Sequence, residues 1–156
     1  MATSVDLTWL SIERGRYESL FDSTTELPHW GLFLDRTALA LERAESGRSG
    51  VAVFILDDPH LPKEQPNVRR VVDLLRSRLR PGDTLARLDD NRFAAMCCDV
   101  NCDAVAALLA RHLIHDSGLV CGLGIALSVS GDVPESLIGR ALVACARHEI
   151  DEIVAT

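Results

Sequence analysis

Residues 51–56, V-A-V-F-I-L, form an unbroken apolar run, and no other segment constrains the fold of this chain as strongly. A strand of this composition is covered on both faces, so helices must pack above and below the sheet that contains it. The run ends at Asp57-Asp58-Pro59, where two carboxylates and a proline stop the strand. The sequence therefore predicts a sheet buried between layers of helix.

Helical and extended patterns alternate on both sides of this run. Apolar spacing predicts helices over residues 29–45, 68–79, 105–113 and 134–147. Strands are predicted over residues 51–56, 84–88, 93–99 and 120–129, with a short last strand over residues 150–154. Residues 58–66 contain three prolines and predict a loop.

Polar residues supply the expected helix starts. Asn101 or Asp103 is the predicted N-cap of the third helix, and residues 22–25, D-S-T-T, offer N-cap candidates before the first. The polar turn over residues 89–92, D-D-N-R, joins two short strands into a hairpin. Helices and strands that alternate around one hairpin place the chain in the α+β class, with an α/β-like alternation.

The composition limits both the size of the fold and its partners. The chain has 156 residues, which suits one domain, and 23 acidic against 16 basic residues give a formal net charge of −7. This charge argues against non-specific binding of nucleic acid or of a membrane. The sequence has no apolar run of bilayer length and no signal peptide, and its five cysteines are typical of reduced thiols. We therefore expect a cytoplasmic protein.

Two side-chain clusters have simple interpretations. A zinc site assembled from Cys97, Cys98, Cys102, His112 and His115 matches no common ligand spacing, which favours ordinary core or surface thiols. Residues 69–87 carry six arginines and two aspartates. A local charge of this kind suits an acidic partner or nucleic acid, but a solvated helix face explains it more simply.

Several short motifs occur along the chain in the same order as in a known protein family. Residues 22–29, D-S-T-T-E-L-P-H, are similar to D-x-L-T-x-L-P-N, and residues 122–126, G-L-G-I-A, to S-I-G-V-A. Residues 80–88, R-P-G-D-T-L-A-R-L, match the approach to a hairpin that carries the motif G-G-D-E-F. The motif itself is replaced by Asp89, Asp90, Asn91, Arg92 and Phe93, of which only Phe93 is retained. On these residues the chain resembles the GGDEF family, the diguanylate cyclase domains that make cyclic di-GMP.

The resemblance implies a fold and a domain division. The family fold is a ferredoxin-like palm of the nucleotidyl-cyclase type, in which helices cover a central, mainly antiparallel sheet. A helical lead-in is expected over residues 1–21, with its helix over residues 5–20 and a possible role in dimerisation. A degenerate GGDEF domain is expected over residues 22–156.

The resemblance also implies that the cyclase chemistry is lost. Phosphodiester formation from GTP needs a divalent metal held by oxygen ligands. Asp57 retains the carboxylate that the family places on its first strand, but Asn91 and Arg92 replace the two acidic positions of the motif. Asp89 and Asp90 replace the two glycines and bring negative charge toward a triphosphate. We expect no catalytic residue, no cofactor and no bound metal, with Asp57 as a remnant.

A second motif of the family is retained. Residues 80–83, R-P-G-D, resemble its product-binding R-x-x-D, which lies five residues before the signature motif. A guanidinium holds phosphate with paired donors, and a carboxylate accepts hydrogen bonds from guanine. The resulting hypothesis is an inactive regulatory module that binds cyclic di-GMP through Arg80, Asp83 and Arg111 and acts on a protein partner.

Three alternatives remain open. The string R-P-G-D also suits a type II turn, in which Arg80 only complements the end of a helix. The chain is then a protein-interaction domain or a homodimeric scaffold without a nucleotide. A residual cyclase would have to bind GTP in spite of Asp89, Asp90 and Asn91.

Overall fold

The computed structural model describes residues 20–47, 49–61, 63–117, 119 and 122–155. The lead-in predicted for residues 1–21 lies outside them except for its last two residues, of which Phe21 bridges to Pro28. The helices and strands of the described residues follow in the order α1 (Trp30–Gly47), β1 (Val51–Asp57), α2 (Gln65–Ser77), β2 (Thr84–Arg87), β3 (Arg92–Cys98), α3 (Asp103–Ile114), β4 (Gly122–Leu127) and α4 (Pro134–Ala155).

The four strands form one sheet in the order β2-β3-β1-β4, and every neighbouring pair is antiparallel. Strand β1 lies inside the sheet, where Phe54 is opposite Ala95 on β3 and Ile125 on β4. The segment from β1 to β4 thus has the β-α-β-β-α-β arrangement of a ferredoxin-like fold. The predicted α+β palm-type fold is confirmed.

Helices cover both faces of the sheet, as the apolar run predicted. Alternate residues of β1 point to opposite faces, so Phe54 and Leu56 join one core and Val53 and Ile55 the other. The first core contains the buried residues of α2 and α3, and the second contains those of α1 and α4. All six residues of the apolar run are buried.

Two local predictions about helix starts are wrong. Helix α2 begins at Gln65, inside the predicted loop, because Pro66 occupies the first turn, where a missing N–H removes no helical hydrogen bond. The N-cap of α3 is Cys102, with no side-chain capping bond, and Asp103 is the first helical residue. Asn101 Oδ1 instead accepts a hydrogen bond from the Gly50 N–H at 2.8 Å, which links the start of β1 to the end of β3.

Two further predictions fail at the ends of the domain. Residues 22–25 do not cap α1, because Asp22 Oδ2 accepts from the Thr25 N–H at 2.8 Å and from its hydroxyl at 2.6 Å in a turn of its own. The strand predicted over residues 150–154 is part of α4, which continues to Ala155. Apolar residues at positions 150, 153 and 154 fit helical spacing as well as a short strand.

No helix in the described part of the chain is long and apolar enough to span a bilayer.

Candidate functional site

Arg87, the last residue of β2, organises the turn between β2 and β3. Its side chain is 7% exposed, and its Nη1 donates to Asp22 Oδ2 at 3.0 Å. Its Nε donates to the carbonyl oxygen of Asp89 at 3.2 Å, and its Nη2 to that of Asp90 at 3.1 Å. Arg87 therefore ties the segment before α1 to the hairpin turn.

Asp89 and Arg92 form an ion pair across this turn. Arg92 Nη2 lies 2.7 Å from Asp89 Oδ2, and Arg92 Nε donates to the same oxygen at 2.8 Å. Burial alone would raise the pKa of Asp89, but hydrogen bonds from Arg92 and from the Asn91 N–H lower it. Asp57, at the end of β1, is the direct cross-strand partner of Arg92. The hydrogen bond to Asp89 and the charge of Asp57 both raise the pKa of Arg92.

Asn91 completes the turn through its backbone. Its N–H donates to Asp89 Oδ1 at 3.0 Å, and its carbonyl oxygen accepts from the Asp58 N–H at 2.9 Å. Its side-chain Oδ1 is buried and has no hydrogen-bond partner among the described residues. The amide thus offers one neutral oxygen beside an arginine.

These residues do not fit a divalent cation. Mg²⁺ is held by carboxylate oxygens in octahedral geometry, and a nearby positive charge repels it. The Arg92 guanidinium is ion-paired with Asp89, and Arg92 is the cross-strand partner of Asp57, so a positive charge lies near both carboxylates. Within the described ranges, no group of three or more His, Cys, Asp or Glu side chains is arranged to hold a metal. The residues at the signature position are brought together as an ion-paired turn.

The string R-P-G-D forms the connection from α2 to β2. Gly82 has φ +93°, and the Asp83 N–H donates to the Arg80 carbonyl oxygen at 3.0 Å. Proline at the second position and a glycine with positive φ at the third are the marks of a type II turn. The turn that the sequence offered as an alternative is therefore present, and it places Arg80 and Asp83 side by side.

Both oxygens of the Asp83 carboxylate accept hydrogen bonds from neighbouring residues. Oδ2 accepts from the Arg80 N–H at 3.0 Å and from Arg80 Nε at 3.2 Å, and Oδ1 accepts from the Cys98 N–H at 3.3 Å. The Asp83 side chain is 4% exposed, whereas that of Arg80 is 45% exposed. Arg80 also donates from Nη2 to the carbonyl oxygen of Cys98. Burial and the charge of Asp83 raise the pKa of the neighbouring Cys97 thiol to about 12.

Two shallow grooves flank this turn, and arginines line both. One, of about 390 Å³, is lined in part by Arg36, Arg76 and Arg80, and the other, of about 300 Å³, by Arg36 and Arg43. Both also include Asp83. We call the two together the arginine groove, defined by Arg36, Arg43, Arg76 and Arg80. Its volume is in the range of small-ligand sites.

Sequence reasoning assigned only Arg80 of these four arginines to a ligand site, and it counted Arg76 in the basic segment over residues 69–87. Arg36 and Arg43 are seven residues apart on α1 and so share one side of that helix. Their spacing was visible in the sequence, but only the packing of α1 beside β2 shows that this side faces the R-P-G-D turn. Arg76 is the basic residue in the last turn of α2.

Arg111 lies on α3, exposed to solvent, and does not line the arginine groove. Arg78 Nη1 donates to the carbonyl oxygens of His112, Leu113 and His115, which brings the end of α3 to the end of α2. The structure brings Arg80 and Asp83 into contact and leaves Arg111 outside that contact.

Comparison with known proteins identifies the fold of the chain. No family model matches the sequence, and no curated protein matches it. The GGDEF domain of TpbB (YfiN) from Pseudomonas aeruginosa is 24% identical with a TM-score of 0.70, and the match covers 84% of this chain and 89% of that one. The GGDEF domain of DgcB from Caulobacter crescentus, in complex with cyclic di-GMP, is 20% identical with a TM-score of 0.70 and coverages of 86% and 89%.

A third solved structure extends this comparison. The diguanylate cyclase SiaD from Pseudomonas aeruginosa, in complex with its activator SiaC, is 16% identical with a TM-score of 0.70. The match covers 94% of this chain and 66% of SiaD. The TM-scores establish that the chain has the fold of a GGDEF domain, and at identities this low they establish the fold alone.

Proposed function

We propose that this domain of GGDEF fold is a non-catalytic regulatory module of the bacterial cytoplasm that binds cyclic di-GMP in the arginine groove. The observation that carries the proposal is a contrast between two sites. At the hairpin, Arg92 pairs with Asp89 and is the cross-strand partner of Asp57, the one carboxylate that the resemblance to cyclases assigns to metal. Around the R-P-G-D turn, four arginines, Arg80 among them, line a groove in which the one carboxylate, Asp83, is already paired.

The loss of catalysis follows from charge. A metal that joins two GTP molecules needs anionic oxygens left free to bind it. Asp57 has the Arg92 guanidinium opposite it, and Asn91 offers only an amide oxygen. The Asp89 carboxylate is fixed in the turn by hydrogen bonds to its own hairpin. The hairpin is therefore not complementary in charge to GTP or to Mg²⁺.

The binding of cyclic di-GMP is supported by the positive charge of the arginine groove. Guanidinium groups are suited to phosphate because their paired N–H donors match two phosphate oxygens. Arg80 is held in place by Asp83, which acts as a positioning residue, while nearly half of its side chain stays exposed. Arg111 stays in the proposed ligand-binding set as an exposed cation of α3, although it does not line the groove. The DgcB structure supports the ligand class because its GGDEF domain is in complex with cyclic di-GMP.

Calorimetric titration of the full chain with cyclic di-GMP tests this function. Arg80→Ala should weaken binding at least about tenfold, because a charged hydrogen bond to phosphate is worth roughly 1.5–3 kcal/mol. Arg70→Ala is the matched control, since Arg70 is exposed on α2 and does not line the arginine groove. Binding that is absent, or equally reduced in both variants, contradicts the proposal.

A protein partner is the second candidate, and α3 carries the observation that favours it. Val105 and Leu108, one turn apart on this helix, are 42% and 64% exposed. Large apolar side chains exposed on one helix face are typical of contact surfaces. The SiaD structure is consistent with this candidate, because SiaD, which contains this fold, is there in complex with its activator SiaC. Measuring the mass in solution of the wild type and of Leu108→Asp tests for a homodimer through this face, which the substitution should dissociate.

A further inference from the structure

We infer that α3 pairs with the α3 of a second copy of this chain, with the two helices antiparallel and Asp103 of each copy beside Arg111 of the other. The inference deepens the second candidate function and rests on it, because it names the partner for the exposed face of α3. It does not depend on a nucleotide. It follows from the order of charged and apolar residues along that face.

The exposed face of α3 is apolar at its centre. Its exposed apolar residues are Ala104, Val105, Ala107 and Leu108. The opposite face is buried in the first core through Ala106, Ala110 and Leu113. A surface helix ordinarily turns polar residues toward solvent, so an apolar solvent face is suited to contact with protein.

A charged residue lies at each end of this face. Asp103, Ala107 and Arg111 follow one another at intervals of four residues, so they form one row along the helix. At 1.5 Å per residue, the two charges are about 12 Å apart along the axis. Within the part of the chain that the structure describes, neither of the two charged side chains has a hydrogen-bond or ion-pair partner. Both charges suit the helix dipole, but the dipole does not account for the apolar residues exposed between them.

The row is complementary to itself in the antiparallel direction. From its amino end it presents a negative charge, a small apolar residue and a positive charge. A second copy that runs the other way presents them in reverse order, so each Asp103 meets an Arg111 in a twofold-symmetric pair. A parallel pair would instead place like charges opposite each other.

The apolar residues fit the same arrangement. The twofold axis passes beside Ala107, whose small side chain lets the two helices approach closely. Leu108, the next residue along the helix, then packs against Leu108 of the other copy near the axis. The pairing therefore covers the most exposed apolar side chain of α3 and brings the free charges together.

The test is sedimentation equilibrium of the full chain without a nucleotide, so that only association is measured. One helix face is smaller than the interface of a stable dimer, so we expect a weak dimer that is detected as the concentration approaches about 1 mM. Asp103→Arg places like charges opposite each other twice in the pair and should raise the dissociation constant about tenfold or more. Arg111→Asp should do the same for the same reason.

An equal mixture of these two variants should recover the dimer. One variant then carries two cations in the row and the other two anions, so both contacts are attractive again. Variants that fail to fold cannot recover association on mixing. Asp73→Arg is the matched control, because it makes the same change of charge at an exposed position of α2 and should leave the dissociation constant unchanged.

The outcomes separate this inference from the functions proposed above. A chain that stays monomeric, a dimer that neither charge variant weakens, or a mixture that fails to recover overturns the inference. If Leu108→Asp abolishes the dimer while the charge variants leave it intact, the second candidate function stands and the antiparallel pairing is wrong. Calorimetric titration with cyclic di-GMP tests the arginine groove separately, so either proposal can fail without the other.

Discussion

Asp57 on β1 and Arg92 on β3 are direct cross-strand partners at one end of the sheet. Side chains in this relationship lie about 5 Å apart at their Cβ atoms, close enough for charge to act between them. Arg92 also pairs with Asp89 at 2.7 Å, and the negative charge of Asp57 raises the pKa of Arg92. A permanent cation thus occupies the end of the sheet where the resemblance to cyclases implies a metal ion.

The first prediction concerns this cation. Arg92→Glu removes the pair with Asp89 and gathers three carboxylates around the hairpin turn, so we expect the variant to lose roughly 1 kcal/mol of stability. Millimolar Mg²⁺ should raise the melting temperature of the variant and leave that of the wild type unchanged. Differential scanning calorimetry with and without Mg²⁺ measures both. A wild-type melting temperature that rises with Mg²⁺ contradicts the account of the hairpin.

The second prediction concerns the buried Arg87. Arg87→Ala removes the side-chain donors to the carbonyl oxygens of Asp89 and Asp90 and the cation that pairs with Asp22, which keeps only its hydrogen bonds from Thr25. We expect a loss of about 2–4 kcal/mol in the free energy of unfolding, measured in urea.

Arg69→Ala is the control for this measurement. Arg69 pairs with Glu26 at 3.3 Å, but the two side chains are 45% and 72% exposed. Exposed pairs of this kind are worth up to about 1 kcal/mol, so the control should lose less than the Arg87 variant. Equal losses would show that burial does not distinguish the two arginines.

The third prediction uses a pair of glycines. A Cβ on Gly124 of β4 would lie 2.0 Å from the carbonyl oxygen of Ala141 and 2.5 Å from the N–H nitrogen of Cys145, both backbone atoms of α4. Gly124→Ala should therefore force α4 off the sheet and lower stability by about 2 kcal/mol or more. Gly139, on α4, has nothing within 4 Å of its Cβ position. Gly139→Ala should raise stability by about 0.5–1 kcal/mol through helix propensity, and urea unfolding compares the two.

The fourth prediction is a loss of stability in acid. Two hydrogen bonds of 2.7 Å from Arg140 hold the Asp132 carboxylate, and they lower its pKa well below the ordinary value against the opposing effect of burial. A pKa lowered by folding contributes stability that is complete above the unfolded-state value of about 3.9 and is lost as the pH falls below it. The wild type should lose more stability between about pH 5 and pH 3 than Asp132→Asn does. Urea unfolding at both pH values measures the difference, and parallel losses would contradict it.

The main elements of the fold were predictable because their signals are local. The apolar run over residues 51–56 needed cover on both faces, and the structure provides it with two helices on each side. The type II turn was predictable because Pro81 and Gly82 have the dihedral preferences of its second and third positions. The errors fall at helix ends, where Asn101 bonds to the distant Gly50 N–H and so is not available as a cap.

The candidate site was only partly predictable because it depends on long-range packing. Arg80 and Asp83 are neighbours in the sequence, so their proximity followed from the motif. Arg36 comes from a helix more than forty residues earlier, and only the position of α1 beside β2 brings it to the turn. The sequence also could not show that the Cys98 N–H donates to Asp83 Oδ1, because these residues meet only through the pairing of β2 with β3.

The location of bound cyclic di-GMP tests the central claim most directly. In an NMR titration of the full chain, the account predicts amide shifts that are largest at Gly82, Asp83 and Thr84, beside the arginine groove. The amides of Asn91 and Arg92 should not move, and GTP with Mg²⁺ should shift neither set. Shifts concentrated at Asn91 and Arg92, with cyclic di-GMP or with GTP and Mg²⁺, would contradict the account, because they would show that the hairpin still binds nucleotide.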